Sequence, residues 1–125
     1  MPRVHLAFTA LPEHVRTARL VATAVARRLT VDVEQLEEIR LAVGEACARA
    51  VRRSATLDRV GVVTVDLHDD GGRLVVEVTD DAGADAAADD LALTLLAGLA
   101  PAVAVEDGPG GPGGRLRLDW PAATV

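Results

Sequence analysis

The stretch Leu41-Ala-Val-Gly-Glu-Ala-Cys-Ala-Arg-Ala-Val51 decides how this chain folds. It is the middle of a longer helical pattern that opens at Asp32, a residue suited to an N-cap, and runs to about Arg53. Leu36, Ile39, Val43, Ala46, Cys47, Ala50 and Val51 recur at helical spacing and form one apolar stripe. Glu34, Glu37 and Glu38 lie near its start and Arg49, Arg52 and Arg53 near its end, a polarity that complements the helix macrodipole. Ile39, Val43, Ala46 and Ala50 are expected to face a sheet. Cys47 is the lone cysteine, so an intrachain disulfide is excluded and a buried, inert thiol is expected. On spacing alone, Glu45 and Arg49 read as an ordinary i, i+4 surface ion pair.

Outward from this helix, Val4 to Phe8 alternates as a half-buried strand does, and Pro12 suits the first turn of a helix. Val15, Ala18, Val21, Val25 and Leu29 then mark an amphipathic helix from Glu13 to Leu29, with Arg16, Arg19, Arg27 and Arg28 largely off the stripe. Val60 to Leu67 and Arg73 to Thr79 are β-rich, joined by a turn over His68 to Gly72. Residues Ala82 to Ala88 read as loop. Asp89 and Asp90 can cap a third helix to about Ala100, which Pro101 stops. Val103 to Val105 and Arg115 to Trp120 form a last strand pair across the flexible turn Asp107 to Gly114. The order β-α-α-β-β-α-β-β predicts a single-domain α/β two-layer sandwich over residues 1–125, its mostly antiparallel sheet covered on one face by three helices.

Composition narrows the function classes. A chain of 125 residues buries roughly two-thirds of its unfolded surface as one domain. The net charge is −6, and the runs Asp69-Asp70, Asp80-Asp81 and Asp89-Asp90 would repel phosphate backbones, so direct nucleic-acid binding is not expected. All 13 basic residues are Arg, and Asn and Tyr are absent, a bias typical of GC-rich genomes. No stretch approaches about 18 apolar residues and no signal-peptide core opens the chain, which predicts a cytoplasmic protein without a membrane anchor. His5, His14 and His68 are scattered and offer no metal site. Ser54, the only Ser, has no triad order around it, and the glycines of 108–114 lack the Lys-Ser/Thr of a P-loop.

The element order, together with His5-Leu-Ala-Phe-Thr-Ala-Leu11, Ala18-Arg19, Glu38-Ile-Arg40, Val43-Gly-Glu-Ala46, Gly113-Gly114 and Leu118 to Pro121, resembles the GHKL (Bergerat-fold) ATPases. It is most similar among them to the anti-sigma factor serine kinases of the RsbW and SpoIIAB type. The resemblance implies that Glu45 is the base orienting the attacking hydroxyl. It also implies that the residue four positions on is an Asn holding magnesium. Here that position is Arg49, whose guanidinium has no acceptor, and the chain contains no asparagine to replace it. The family's Asp-x-Gly-x-Gly reads Asp80-Asp81-Ala82-Gly83-Ala84, so Asp80, the adenine acid, and Gly83 remain while Ala82 and Ala84 stand for glycines. The family's phosphate-cradling Gly-x-Gly reads Asp90-Leu91-Ala92, and the lid before it has no basic residue.

Weak or absent binding of magnesium-ATP is therefore expected, with Glu45 a relic neutralised by Arg49. What the resemblance implies for function is a homodimeric anti-sigma factor. It would sequester an alternative sigma factor and release it by partner switching, when a STAS-domain anti-anti-sigma protein competes. Arg19 holds the family's partner-contacting position on the first helix, and Arg16 is its neighbour. An active serine/threonine kinase acting on the STAS protein, and a small-molecule sensor, are the alternative readings.

Overall fold

The computed structural model describes residues 3–28 and 32–121. Five strands form one sheet: β1 Arg3–Thr9, β2 Val62–Asp70, β3 Arg73–Asp80, β4 Ala102–Glu106 and β5 Arg115–Trp120. The helices are α1 Val15–Ala26, α2 Val33–Ser54 and α3 Asp90–Ala97, with a short 3-10 turn at Pro12–His14 before α1. The sheet order is β1-β2-β3-β5-β4 and every neighbouring pair is antiparallel. This is the expected α/β sandwich.

Alternation settles which face of the sheet is covered. Val63, Val65 and Leu67 of β2, Leu74, Val76 and Val78 of β3, and Leu116, Leu118 and Trp120 of β5 are buried in one core cluster with Ile39, Val43, Ala46 and Ala50 of α2. Residues of opposite parity, such as His5, Asp66, Glu77 and Arg117, line up across the strands on the other face. His5 and Asp66 pair there at 2.8 Å.

The β2–β3 connection is tighter than the sequence suggests. Both strands run on until Asp70 opposes Arg73, so the turn is only Gly71-Gly72. Their φ angles of 62° and 87° are those a type I′ hairpin demands, and the Asp69 carboxylate accepts from Gly72 N–H at 2.6 Å. At the start of α2, Asp32 is the cap residue, and Gln35 Oε1 accepts from its N–H at 3.1 Å, a reciprocal bond absent from the sequence reading.

Helix α1 buries Ala18, Ala22 and Ala26 completely, while Val15, Val21 and Val25 pack only partly against the core. Of the expected stripe, Ala18 is at the centre of the buried face and the valines flank it; Leu29 lies outside the described residues. Small side chains suit a close approach of α1 to α2, where the stem of Arg19 lies against the buried Gly44.

Because Ile39 is fully buried between α2 and the sheet, Ile39→Ala should destabilise the fold by about 2–5 kcal/mol, read from urea unfolding with an unchanged m-value. A loss below about 1 kcal/mol would show that α2 does not seat on the sheet through this residue.

Candidate functional site

Four segments converge at one end of the sheet: the last turns of α2, the end of β3 at Asp80, the connection 81–89 into α3, and the glycine-rich turn 107–114 between β4 and β5. Two arginines of α2, one helical turn apart, join them. Arg49 and Arg53 are each only 2% exposed. Arg53 Nε donates to Asp80 Oδ2 at 2.9 Å, while its Nη1 donates to the Ala87 carbonyl at 2.7 Å and its Nη2 to the Pro112 carbonyl at 3.0 Å. Arg49 Nε donates to the Ala88 carbonyl at 3.0 Å and its Nη2 to the Gly113 carbonyl at 2.9 Å. The second oxygen of Asp80 accepts from Ala82 N–H at 3.1 Å. Asp80 is therefore ion-paired and capped on both oxygens.

The loops meet one another as well. A Cβ on Gly110 would collide with the Ala82 carbonyl oxygen, and Gly108 and Gly114 sit backbone against backbone. Asp80 N–H donates to the Gly114 carbonyl at 2.8 Å. Only glycine fits at such contacts. Gly83, by contrast, faces open space.

Outside the guanidinia lies a surface network. Arg52 donates to Glu45 at 2.9 Å and to Asp89 at 2.7 Å. Asp89, at φ 62°, caps α3 by accepting from Ala92 N–H at 3.3 Å. Asp81 binds Arg59 at 2.9 Å and Val62 N–H at 3.2 Å, tying the 81–89 connection to the start of β2.

The charges follow from this geometry. Burial pushes the Asp80 carboxyl above its ordinary range, against the pull of the Arg53 and Ala82 bonds. Burial lowers Arg49, and the neighbouring Arg53 charge lowers it further, while Asp80 and Asp89 offset part of both. At Asp89 burial is outweighed by Arg52 and Ala92, so its carboxyl is held below the usual range. Burial raises the Cys47 thiol to about 12, consistent with an inert core residue.

Several expectations need correcting. Glu45 does not pair with Arg49; its partner is Arg52, seven residues on. Arg49 is a buried tie to two carbonyls. Asp90 is exposed at the first position of α3, and Asp89 carries the capping and pairing. The 81–89 segment needs no basic residue of its own, since α2 supplies two. Arg53, read from sequence as a helix-end charge, is the centre of the site. The missed signal was its place on the apolar stripe, seven residues after Ala46 and three after Ala50. Arg19 and Arg16 lie away from this cluster on α1. Arg19 is half-buried, its stem so close over Gly44 that an added Cβ would stand 2.6 Å from Arg19 Cδ. Arg16 is exposed.

A sheet of this order under a helix carrying Glu45, with Asp80 at the end of its central strand, is the architecture that the sequence motifs implied. The sequence pattern of the histidine kinase-like ATPase domain matches residues 8–120. The chain belongs to that family. The chain is 32% identical over 78 residues to the serine-protein kinase RsbW of Bacillus subtilis, covering 62% of this chain and 49% of that protein. It is 31% identical over 78 residues to the serine-protein kinase RsbW of Listeria innocua, covering 62% and 50%. The chain thus spans about half the length of the curated relatives it matches. A solved structure of RsbU and RsbW domains from Mycobacterium tuberculosis superposes with TM-score 0.73 at 21% identity, covering 100% of this chain and 34% of that one, and so supports the fold. Together these make the domain an RsbW-type Bergerat fold.

The residues present do not fit the nucleotide that this family name implies. Asp80, the acid that the resemblance assigns to adenine, already holds Arg53, and Arg49, at the position it assigns to a magnesium ligand, offers donors where a cation needs acceptors. The cavity beside them, lined by Arg52, Arg53, Thr56, Ala87 and Asp89, measures about 230 Å³. That is below the ~300 Å³ at which ligand pockets begin.

Removing the acid should be costly. Asp80→Ala leaves Arg53 buried without its counter-charge and should lose about 3–5 kcal/mol in urea unfolding. Arg53→Met combined with Asp80→Ala should lose clearly less than the two single changes added together. Strict additivity would mean that the pair is not coupled.

Proposed function

We propose that this protein is a cytoplasmic anti-sigma factor that works by binding, without ATP-dependent kinase chemistry. It sequesters an alternative sigma factor of RNA polymerase and is displaced by a STAS-domain anti-anti-sigma protein. The observation that carries this reading is the Arg53–Asp80 ion pair at 2.9 Å, buried to within 2% and 1% of full enclosure. It occupies the acid that the resemblance assigns to adenine, and it lies away from Arg19 and Arg16 on α1. Family membership and the likeness to the RsbW kinases supply the partner class. Among the described residues no helix is long and apolar enough to cross a membrane.

Arg19 is the residue proposed to meet both partners, with Arg16 beside it. No carboxylate lies within ion-pair distance of either among the described residues, and Arg is a frequent interface anchor. Arg19 is not a free surface side chain, however. Its aliphatic stem lies over Gly44, so closely that an added Cβ would stand 3.1 Å from Arg19 Cγ and 3.5 Å from its Nε, and Gly44 leaves the room the side chain occupies.

Two tests follow. Titration calorimetry with magnesium-ATP should give no heat of binding at micromolar protein, and labelled phosphate should not pass to STAS proteins. Micromolar affinity or phosphate transfer would replace this reading with that of an active kinase. Light scattering on the purified chain checks the homodimer that the resemblance implies.

For the partner surface, Arg19→Glu should weaken capture of the sigma and STAS partners at least about tenfold, with a stability cost of roughly 1 kcal/mol from the lost stem contact. Gly44→Ala should displace the Arg19 side chain while adding up to about 1 kcal/mol of helix propensity. Weakened capture with an undiminished melting temperature is the expected result. Full partner affinity in both variants would remove Arg19 from the interface, and no sigma partner for the wild-type chain would remove the function.

A further inference from the structure

We propose that Arg49 and Arg53 act as a permanent internal ligand. They hold the 81–89 connection and the 107–114 turn shut against α2 with no small molecule present. The closed arrangement at this end of the sheet is then constitutive and cannot be switched by a nucleotide.

The geometry has the features of a ligand site whose ligand is part of the chain. Each guanidinium is almost fully enclosed, and each bridges both loops. Arg53 reaches the Ala87 carbonyl on one and the Pro112 carbonyl on the other, and Arg49 reaches Ala88 and Gly113 in the same way. A carboxylate at the bottom, Asp80, anchors the deeper of them. The walls are shaped to the occupant. A Cβ at Gly113 would stand 3.3 Å from Arg53 Nη1 and 3.5 Å from Arg49 Nη2, and Gly113 takes the left-handed φ of 78° that brings its carbonyl into reach. The loops also close on each other, with Gly110 against the backbone of Asp81 and Ala82.

Beyond these guanidinia, the 81–89 connection is tied to α2 only at its far end, by the half-exposed Arg52–Asp89 pair at 2.7 Å, and no other side-chain bond joins the 107–114 turn to α2 among the described residues. Residues 84–88 contain no regular element and no large apolar side chain, and the 107–114 turn contains only Asp, Gly and Pro. Without the guanidinia, little apolar burial would remain to keep either segment down, so local opening would need little energy. The carbonyls they accept through would then lie open to water. The clamp therefore converts two segments of low intrinsic order into a fixed surface next to α2 and α3. The closure rests on this geometry alone; only its consequence, that partner complexes form equally with and without nucleotide, rests on the partner-binding reading above.

Amide hydrogen exchange on the full chain tests the closure without any partner. In the wild-type protein, amides in 81–89 and 107–114 should exchange slowly, and magnesium-ATP or magnesium-ADP should leave them unchanged. In Arg53→Ala and in Arg49→Ala, exchange in those two segments should rise about tenfold or more while β1 and β2 stay protected. Ethylguanidinium at low millimolar concentration should restore part of the protection in Arg53→Ala and do nothing to the wild type. Gly110→Ala, which wedges the loops apart without touching either guanidinium, should loosen the same segments and serves if an arginine variant does not fold. Protection gained by the wild type on adding nucleotide would overturn the proposal. So would exchange in these variants that rises evenly across the sheet, or not at all in the two segments. A wild-type chain with protected loops but no sigma partner would leave the clamp standing and reject only the proposed function.

Discussion

One buried ion pair organises this end of the molecule. Burying a guanidinium costs several kcal/mol, and a single carboxylate rarely repays it. Here Asp80 supplies the charge and two loop carbonyls accept from the terminal nitrogens, so Arg53 is paired and each of its three nitrogens is hydrogen-bonded. Arg49, one turn earlier, has only carbonyls within bonding distance and depends on the more distant charges of Asp80 and Asp89. Two like charges one turn apart would normally repel. They are tolerated because the two loops present four carbonyl oxygens to them, those of Ala87, Ala88, Pro112 and Gly113. The path of both loops is therefore dictated by the arginines.

The scaffold beneath was legible from periodicity. Strand alternation and helical stripes follow from local geometry, so β5 came out at Arg115–Trp120 as expected and α2 within a residue of its bounds. Errors fell where local patterns compete. The acidic His68–Gly72 stretch looked like a long turn, but cross-strand pairing carried β2 through it to Asp70 and left the reversal to two glycines. In α1 the stripe held Ala18 but followed the larger valines past Ala22 and Ala26, although close helix crossing favours the small residue.

The site was less legible because its contacts are long-range and polar. Arg53 and Asp80 are 27 residues apart, and Arg49 and Gly113 are 64 apart. No periodicity links such positions. Helix spacing predicted Glu45–Arg49, which satisfies a local rule, yet Arg49 points inward and Arg52 takes Glu45 on the exposed side. A charge on an apolar stripe was the one available clue. Arg53 stands there, just as Asp80 stands at the buried end of a core strand.

The departures from the family pattern, taken one by one, look like independent losses: an Arg for a magnesium ligand, alanines for glycines, a short segment without a cation. In the folded chain they belong to one arrangement. Ala82 is buried beneath the glycine-rich turn. The 81–89 segment holds no cation because its carbonyls receive two from α2. The choice of arginine matters for the same reason. A lysine presents one compact ammonium and could not reach a carboxylate on β3 and carbonyls on two separate loops at once. The planar fork of Arg53 spreads three nitrogens toward those three directions. A site once read for its missing magnesium ligand is thus better described by what fills it: two forked cations whose shape the surrounding backbone has come to match.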